Sequence, residues 1–157
     1  TAEALVRLRD SGKILEAGVS NHTPAQLSAL QAHLPFRLVS TQPQLSPHCI
    51  EPIHDGVLDQ ALERGLAVLA WSPLGGGRLA TGHGPVADAL DRVAMGLGVS
   101  RSVTAYAWIL QHPARPIPIV GSQRPERIRE AALARDVLLS RSDWYAVLAA
   151  ARGAPLP

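Results

Sequence analysis

Apolar positions along this chain follow two alternating rhythms. Short unbroken apolar runs are separated by longer stretches in which apolar residues return every three or four positions. The first pattern suits strands of a parallel sheet buried on both faces, and the second lays an apolar stripe along a helix. The opening segment "TAEALVRLRDSGK" reads as a helix with Ala4, Leu5 and Leu8 on one face and Gly12 near its stop. "ILEAGVSN" is a strand, and "TPAQLSALQAHL" follows as a helix with Thr23 as N-cap, Pro24 at its first position and Leu27 and Leu30 on one face. "FRLVSTQPQLSP" is the next strand with its loop, and "EPIHDGVLDQALERG" a helix that ends at Gly65. "LAVLAWSPLGGG" is then followed by two helices, "VADALDRVAMGLG" and "SRSVTAYAWILQHP". "IPIVGSQ" with the helix "PERIREAALAR" forms the last unit, and "SRSDWYAVLAAARG" adds a closing helix capped by Ser142. Successive strand–helix units predict a parallel α/β sheet with right-handed crossovers.

The stretch from Leu66 to Arg78, "LAVLAWSPLGGGR", breaks its own pattern, because an apolar run ends in an indole and three glycines. Parallel strands present ligands at their carboxyl ends. There, glycines would let backbone N–H groups approach a phosphate, and Trp71 would offer a flat face to a ring. The same residues also fit a strand that stops at a glycine turn with Trp71 plugging the core.

Composition narrows the classes. At 157 residues and 46% hydrophobic, the chain fits one domain, 1–157, with a substantial core. The net charge of +2 is too small for a nucleic-acid footprint. No apolar run reaches the roughly 18 residues of a membrane helix. The single cysteine, Cys49, excludes an internal disulfide and points to a reducing, cytoplasmic setting. "HCIEPIHD" gathers His48, Cys49, Glu51, His54 and Asp55 but matches no standard zinc spacing, so no metal is expected. "GGGRLATG" lacks the Gly-Lys-Ser/Thr of a Walker loop, and no G-x-S-x-G elbow occurs. Trp108, Trp144 and Tyr145 sit at helical positions among apolar neighbours and read as packing residues.

The succession "GVSN", "TQPQLSP", "AWSPLGGG" and "IVGSQRPERIREA" resembles the C-terminal half of the aldo-keto reductase family across essentially the whole chain. The resemblance implies half of a (β/α)8 barrel: four consecutive parallel β-α units, the family's strands five to eight, plus a C-terminal helix. It further implies carbonyl reduction by hydride transfer from NADPH, with NAD as the lesser alternative. The family's catalytic Asp, Tyr, Lys and His belong to strands two to four, so the resemblance implies no catalytic residue in this chain and no carbonyl reduction by the chain alone. A small carbonyl compound would be the intact enzyme's substrate.

Ser20, Asn21 and Gln42 follow strand ends, where neutral donor and acceptor groups could hold a carboxamide. The resemblance assigns them to the nicotinamide amide and Trp71 to its ring. It assigns Ser72, Leu74 and the glycines Gly75, Gly76 and Gly77 to the pyrophosphate loop, with Pro73 also cofactor-binding, and Gly121, Ser122, Gln123, Arg127 and Glu130 to the adenosine end. There Arg127 meets the 2′-phosphate and Glu130 the adenine. In this chain Gly121 stands where many members have lysine, and Ala131 where an asparagine is common. Read by itself, Arg127 fits a solvated helix arginine beside Arg124 and Arg129 better than a phosphate ligand.

Half a barrel would leave two unpaired strand edges and an apolar inner face, formed by Val19, Val39, Leu69 and Ile119 or their neighbours on the alternate face. Such a face calls for the missing N-terminal half or for self-association as a dimer. A non-catalytic half-barrel, serving as a structural fragment or dinucleotide-binding module, is the alternative reading.

Overall fold

The structure, a computed structural model, describes residues 1–154; the last three residues of the expected 1–157 unit lie outside the described residues. In chain order it comprises α1 (Ala2–Asp10), β1 (Gly18–Ser20), α2 (Pro24–Ala32), β2 (Ser40–Gln42), α3 (Val57–Arg64), β3 (Ala67–Ala70), α4 (Arg78–Thr81), α5 (Pro85–Leu97), α6 (Arg101–Leu110), β4 (Ile117–Pro118), α7 (Pro125–Leu133) and α8 (Arg141–Arg152). The strands form one parallel sheet in the order β1-β2-β3-β4. The predicted succession of strands and helices is therefore present.

Local chemistry sets the boundaries. At α2 the Thr23 hydroxyl accepts from the Gln26 N–H at 3.3 Å, and the Gln26 side chain accepts from the Thr23 N–H at 2.9 Å. This reciprocal box satisfies two donors that a helix start leaves orphaned. The helix predicted over "EPIHDGVLDQALERG" is interrupted: a 3-10 turn covers Glu51–Ile53, and α3 begins only at Val57. The Asp55 carboxylate accepts from the Val57 N–H at 2.9 Å, and Gly56 takes a left-handed φ of 86°, so a side-chain turn outcompetes the helix there. Ser142 does not cap α8. Ser140 does, with extended backbone and its hydroxyl accepting from the Asp143 N–H at 3.1 Å, while Ser142 lies one residue inside the helix. The short helix α4, directly after the glycines, was not foreseen.

The two faces of the sheet differ. Val19, Thr41, Val68 and Ala70 are buried beneath the helices, with Leu58, Leu90 and Ile109 in the same core. On the opposite face lie Gly18, Ser20, Ala67 and Ile117, all exposed, with Ser40, Gln42 and Leu69 half-buried. The expectation that the Leu66–Ala70 run is buried on both faces is thus corrected, since Ala67 is open on one side. Of the four residues named for the inner face, Leu69 and Ile119 lie on the open side, Val39 is exposed, and Val19 faces the helices. A Cβ on Gly18 would stand 2.0 Å from the Ser40 Oγ, so only glycine fits beside β2 in this register. Among the described residues, no single helix is long and apolar enough to cross a membrane.

Candidate functional site

Three strand ends meet at a polar cluster. Asn21 follows β1 with φ 54°, a left-handed conformation that asparagine tolerates better than most residues. Its carboxamide oxygen accepts from the Trp71 indole N–H at 2.8 Å. Its own N–H donates to the Gln42 carbonyl at 3.1 Å, and the Ser20 hydroxyl donates to the same carbonyl at 3.0 Å. Trp71 is half-buried, which excludes the core-plug reading, and its orientation is fixed by Asn21. The Asn21 amide hydrogens and the Gln42 carboxamide keep no partner among the described residues, so a planar amide could be held here.

The glycine loop is organised differently from the expectation. Gly75, Gly76 and Gly77 all take positive φ, as does Ser72. Their N–H groups are already used: Gly75 donates to the Ser72 carbonyl at 2.8 Å, Gly76 to the Ser72 hydroxyl at 2.8 Å, and Gly77 to the Leu74 carbonyl at 3.1 Å. The glycines shape a self-satisfied turn and offer no row of free donors. Gly75 packs inward, where a Cβ would come 3.1 Å from His48 Cδ2, and Gly76 has open space around it. Free donors lie elsewhere. The N–H groups of Leu74, Gly121, Ser122 and Gln123 have no partner among the described residues, and the Ser72 hydroxyl hydrogen remains available.

A cavity of about 450 Å³ joins this loop to α7. Ser72, Pro73, Leu74 and Gly76 form one wall, and Gly121, Ser122, Arg127 and Glu130 the other. Gln123 and Gly75 are not part of its lining, and Ser20, Asn21, Gln42 and Trp71 lie outside it in the strand-end cluster. Arg127 is exposed at the rim and makes no ion pair among the described residues, whereas Arg124 pairs with Glu126 at 2.5 Å. The hydrogen bond from its own backbone, and after it the Arg124 pairing, hold the Glu126 carboxyl below its usual range. Glu130 accepts from the Ser100 hydroxyl at 2.5 Å.

Sequence reasoning missed Ser102 and Tyr106, which reach the cavity from α6. The available signal was their spacing of four, which puts two hydroxyls on one face of a helix whose other residues, apart from Arg101 and Thr104, are apolar. The His/Cys segment before α3 has its own explanation. The Cys49 thiol donates to the Gln44 carbonyl at 3.5 Å, and its pKa is pushed up to about 12, first by burial and then by Glu51, so it stays a neutral thiol.

The comparisons with known proteins bear on the family and the fold. The Aldo/keto reductase family matches residues 1–152. The chain belongs to this family. Its members are oxidoreductases that bind a nicotinamide cofactor. The chain is 53% identical over 151 residues to a 6-dehydroglucose reductase of Novosphingobium aromaticivorans, covering 94% of this chain and 50% of that protein. It is 41% identical to oxidoreductase YdhF of Escherichia coli, covering 99% of this chain and 53% of YdhF. It therefore spans about half the length of these relatives. Among solved structures, the thermostable aldo-keto reductase Tm1743, in complex with the inhibitor epalrestat, superposes with a TM-score of 0.86 at 23% identity, over 95% of this chain and 53% of that one. At that identity the likeness speaks for the fold alone.

Proposed function

We propose that this aldo-keto reductase chain is the cofactor-binding half of an NADP-dependent carbonyl reductase, the last four β-α units of an eight-stranded barrel. The observation that carries the reading is the cavity between the glycine loop and α7, whose donors suit an anion and whose rim holds Arg127. The unpartnered N–H groups at 121–123 lie in the loop just before α7, whose N-terminal dipole also favours a phosphate. Arg127 presents a planar fork suited to a phosphate monoester, the feature that distinguishes NADP from NAD.

NADPH, when bound, supplies the hydride. The chain's own residues orient and bind: Trp71 provides a ring face held rigid by Asn21, and the amides of Asn21 and Gln42 fix rotation. Ser72 and Leu74 supply donors beside the turn. Proton transfer to the carbonyl oxygen belongs to residues outside this chain. A relative bearing the name 6-dehydroglucose reductase makes a carbonyl sugar the first substrate to try.

The open sheet face needs a cover, since Ile117 and Ile119 are 53% and 37% exposed. We assign it to the other half of the barrel, because the relatives are about twice as long. A second copy of the chain in that place is the alternative, and light scattering on the isolated chain, which would then run as a dimer, discriminates. The cofactor reading is tested by titrating the whole protein that carries this chain with NADPH and NADH and following tryptophan fluorescence. Tighter binding of NADPH is expected, and equal affinities overturn the NADP assignment.

A further inference from the structure

We propose that the Tyr106 hydroxyl is a binding group for the purine of the cofactor, donating to a ring nitrogen while the Glu130 carboxylate accepts from the neighbouring amino group. The inference rests on the NADP reading above, keeps the adenine contact that the family resemblance implies for Glu130, and adds Tyr106, a residue that neither contains.

Tyr106 lies on α6 one turn beyond Ser102, and both line the cavity. It is only 7% exposed. Its hydroxyl nevertheless has no hydrogen-bond partner among the described residues, and none of their side-chain polar atoms is both fully buried and unpartnered. The hydroxyl therefore keeps its remaining contact with water, at the cavity wall. A ligand that covers this oxygen without pairing it would bear the full cost of desolvation, so the cavity favours one that carries a matching acceptor.

The charge state fits a donor. Burial, and after it the negative charge of Glu130, push the tyrosine pKa up, so the proton stays on through the neutral range. Glu130 supplies the complementary function. One of its oxygens accepts from Ser100, and the other has no partner among the described residues. A donor hydroxyl and an acceptor carboxylate on adjacent helices match an aromatic amine beside a ring nitrogen, which is the edge of adenine. Pro73, Ala80 and Ile119 line the same cavity with the apolar surface that a ring face requires. Ala131, the next residue on α7, has no polar side-chain atom to share this task.

The test uses the whole protein that carries the chain, with calorimetric titration of NADPH and of 2′,5′-ADP. Tyr106→Phe keeps the ring and removes only the hydroxyl. Both ligands are expected to bind about 3- to 10-fold more weakly, the fold-change of one hydrogen bond. In turnover the KM for NADPH rises by the same factor and kcat is unchanged. Unchanged affinity of the variant for both ligands overturns the proposal. So does an equal loss with inorganic pyrophosphate, a base-free probe, because that would report a general loosening of the cavity. On the unaltered protein, the hypoxanthine analogue of NADPH, whose 6-oxo group cannot donate to Glu130, is expected to bind more weakly than NADPH, and equal binding refutes the two-point reading without any variant. Failure of the unaltered protein to bind either adenine ligand would instead remove the cofactor assignment itself.

Discussion

Two tryptophan sites in this chain solve opposite problems. In the seam between α6 and α8, Trp108 and Trp144 stack with centroids 5.0 Å apart, and each indole N–H donates to the other's backbone carbonyl, at 3.0 and 2.9 Å. Trp108 is 1% exposed. Every polar atom of its ring is used, and nothing is left to offer a ligand. At the strand ends, Trp71 is also anchored through its indole N–H, by Asn21, but it remains half-buried on the open side of the sheet. A tryptophan anchored at its nitrogen and fully buried stabilises the fold; one anchored at its nitrogen and only half-buried keeps surface that the proposed cofactor site would use.

The largest expected effect lies at the first site. Trp108→Ala should cost about 3–5 kcal/mol of stability, as other buried large-to-small changes do, read from urea unfolding of the whole protein. A loss below about 1 kcal/mol would mean that the seam is not the support described here. Next comes the rim of the cavity. Arg127→Ala should remove a charged hydrogen-bonding partner worth about 1.5–3 kcal/mol, so the proposed preference for NADPH over NADH should collapse while NADH affinity holds. A preserved preference would return Arg127 to the role of a solvated helix residue.

Trp71→Ala should invert the pattern of Trp108. Its stability loss should be the smaller of the two, and NADPH should bind about 2- to 10-fold more weakly through lost stacking; comparable unfolding losses for the two variants would break the comparison. The smallest effect is electrostatic. The Arg101 guanidinium donates to the Asp91 carboxylate, holds its pKa below the usual aspartate value, and also bonds the Gly82 carbonyl at 2.6 Å, tying the loop after α4 to α6. A carboxyl whose folded pKa is lowered contributes stability above its unfolded pKa and loses it as pH falls through the folded value. The side chain of Asp91 is 49% exposed, so solvent screening keeps the contribution small. Asp91→Asn should therefore lower Tm slightly at neutral pH and leave the two proteins alike below the aspartate range; an unchanged difference at acid pH would exclude this ion pair as the cause.

The strand–helix alternation, the Thr23 cap and the glycine stop at Gly65 were legible in the sequence because each rests on neighbours within a few residues. The break before α3 and the shift of the α8 cap from Ser142 to Ser140 were not, because adjacent hydroxyl and carboxylate side chains compete for the same backbone donors at nearly equal cost. Most residues nominated for the pyrophosphate loop and for the adenosine end converge on one cavity, although 55 positions separate Ser72 from Arg127. The role given to the glycines did not survive in its expected form. Positive φ is readable from residue type, but whether an N–H stays free depends on which carbonyls the turn folds back upon.

The sequence by itself determined that a parallel α/β unit forms, where its turns fall, and which residue types stand at the strand ends. Those properties follow from periodicity and local backbone preference, which are written in consecutive residues. Only the tertiary structure decided which strand residues stand on the open sheet face, that Asn21 rather than water holds Trp71, and that Tyr106 and Glu130 line one cavity. Each of these depends on which distant side chains packing brings together, and that choice is made by the core as a whole.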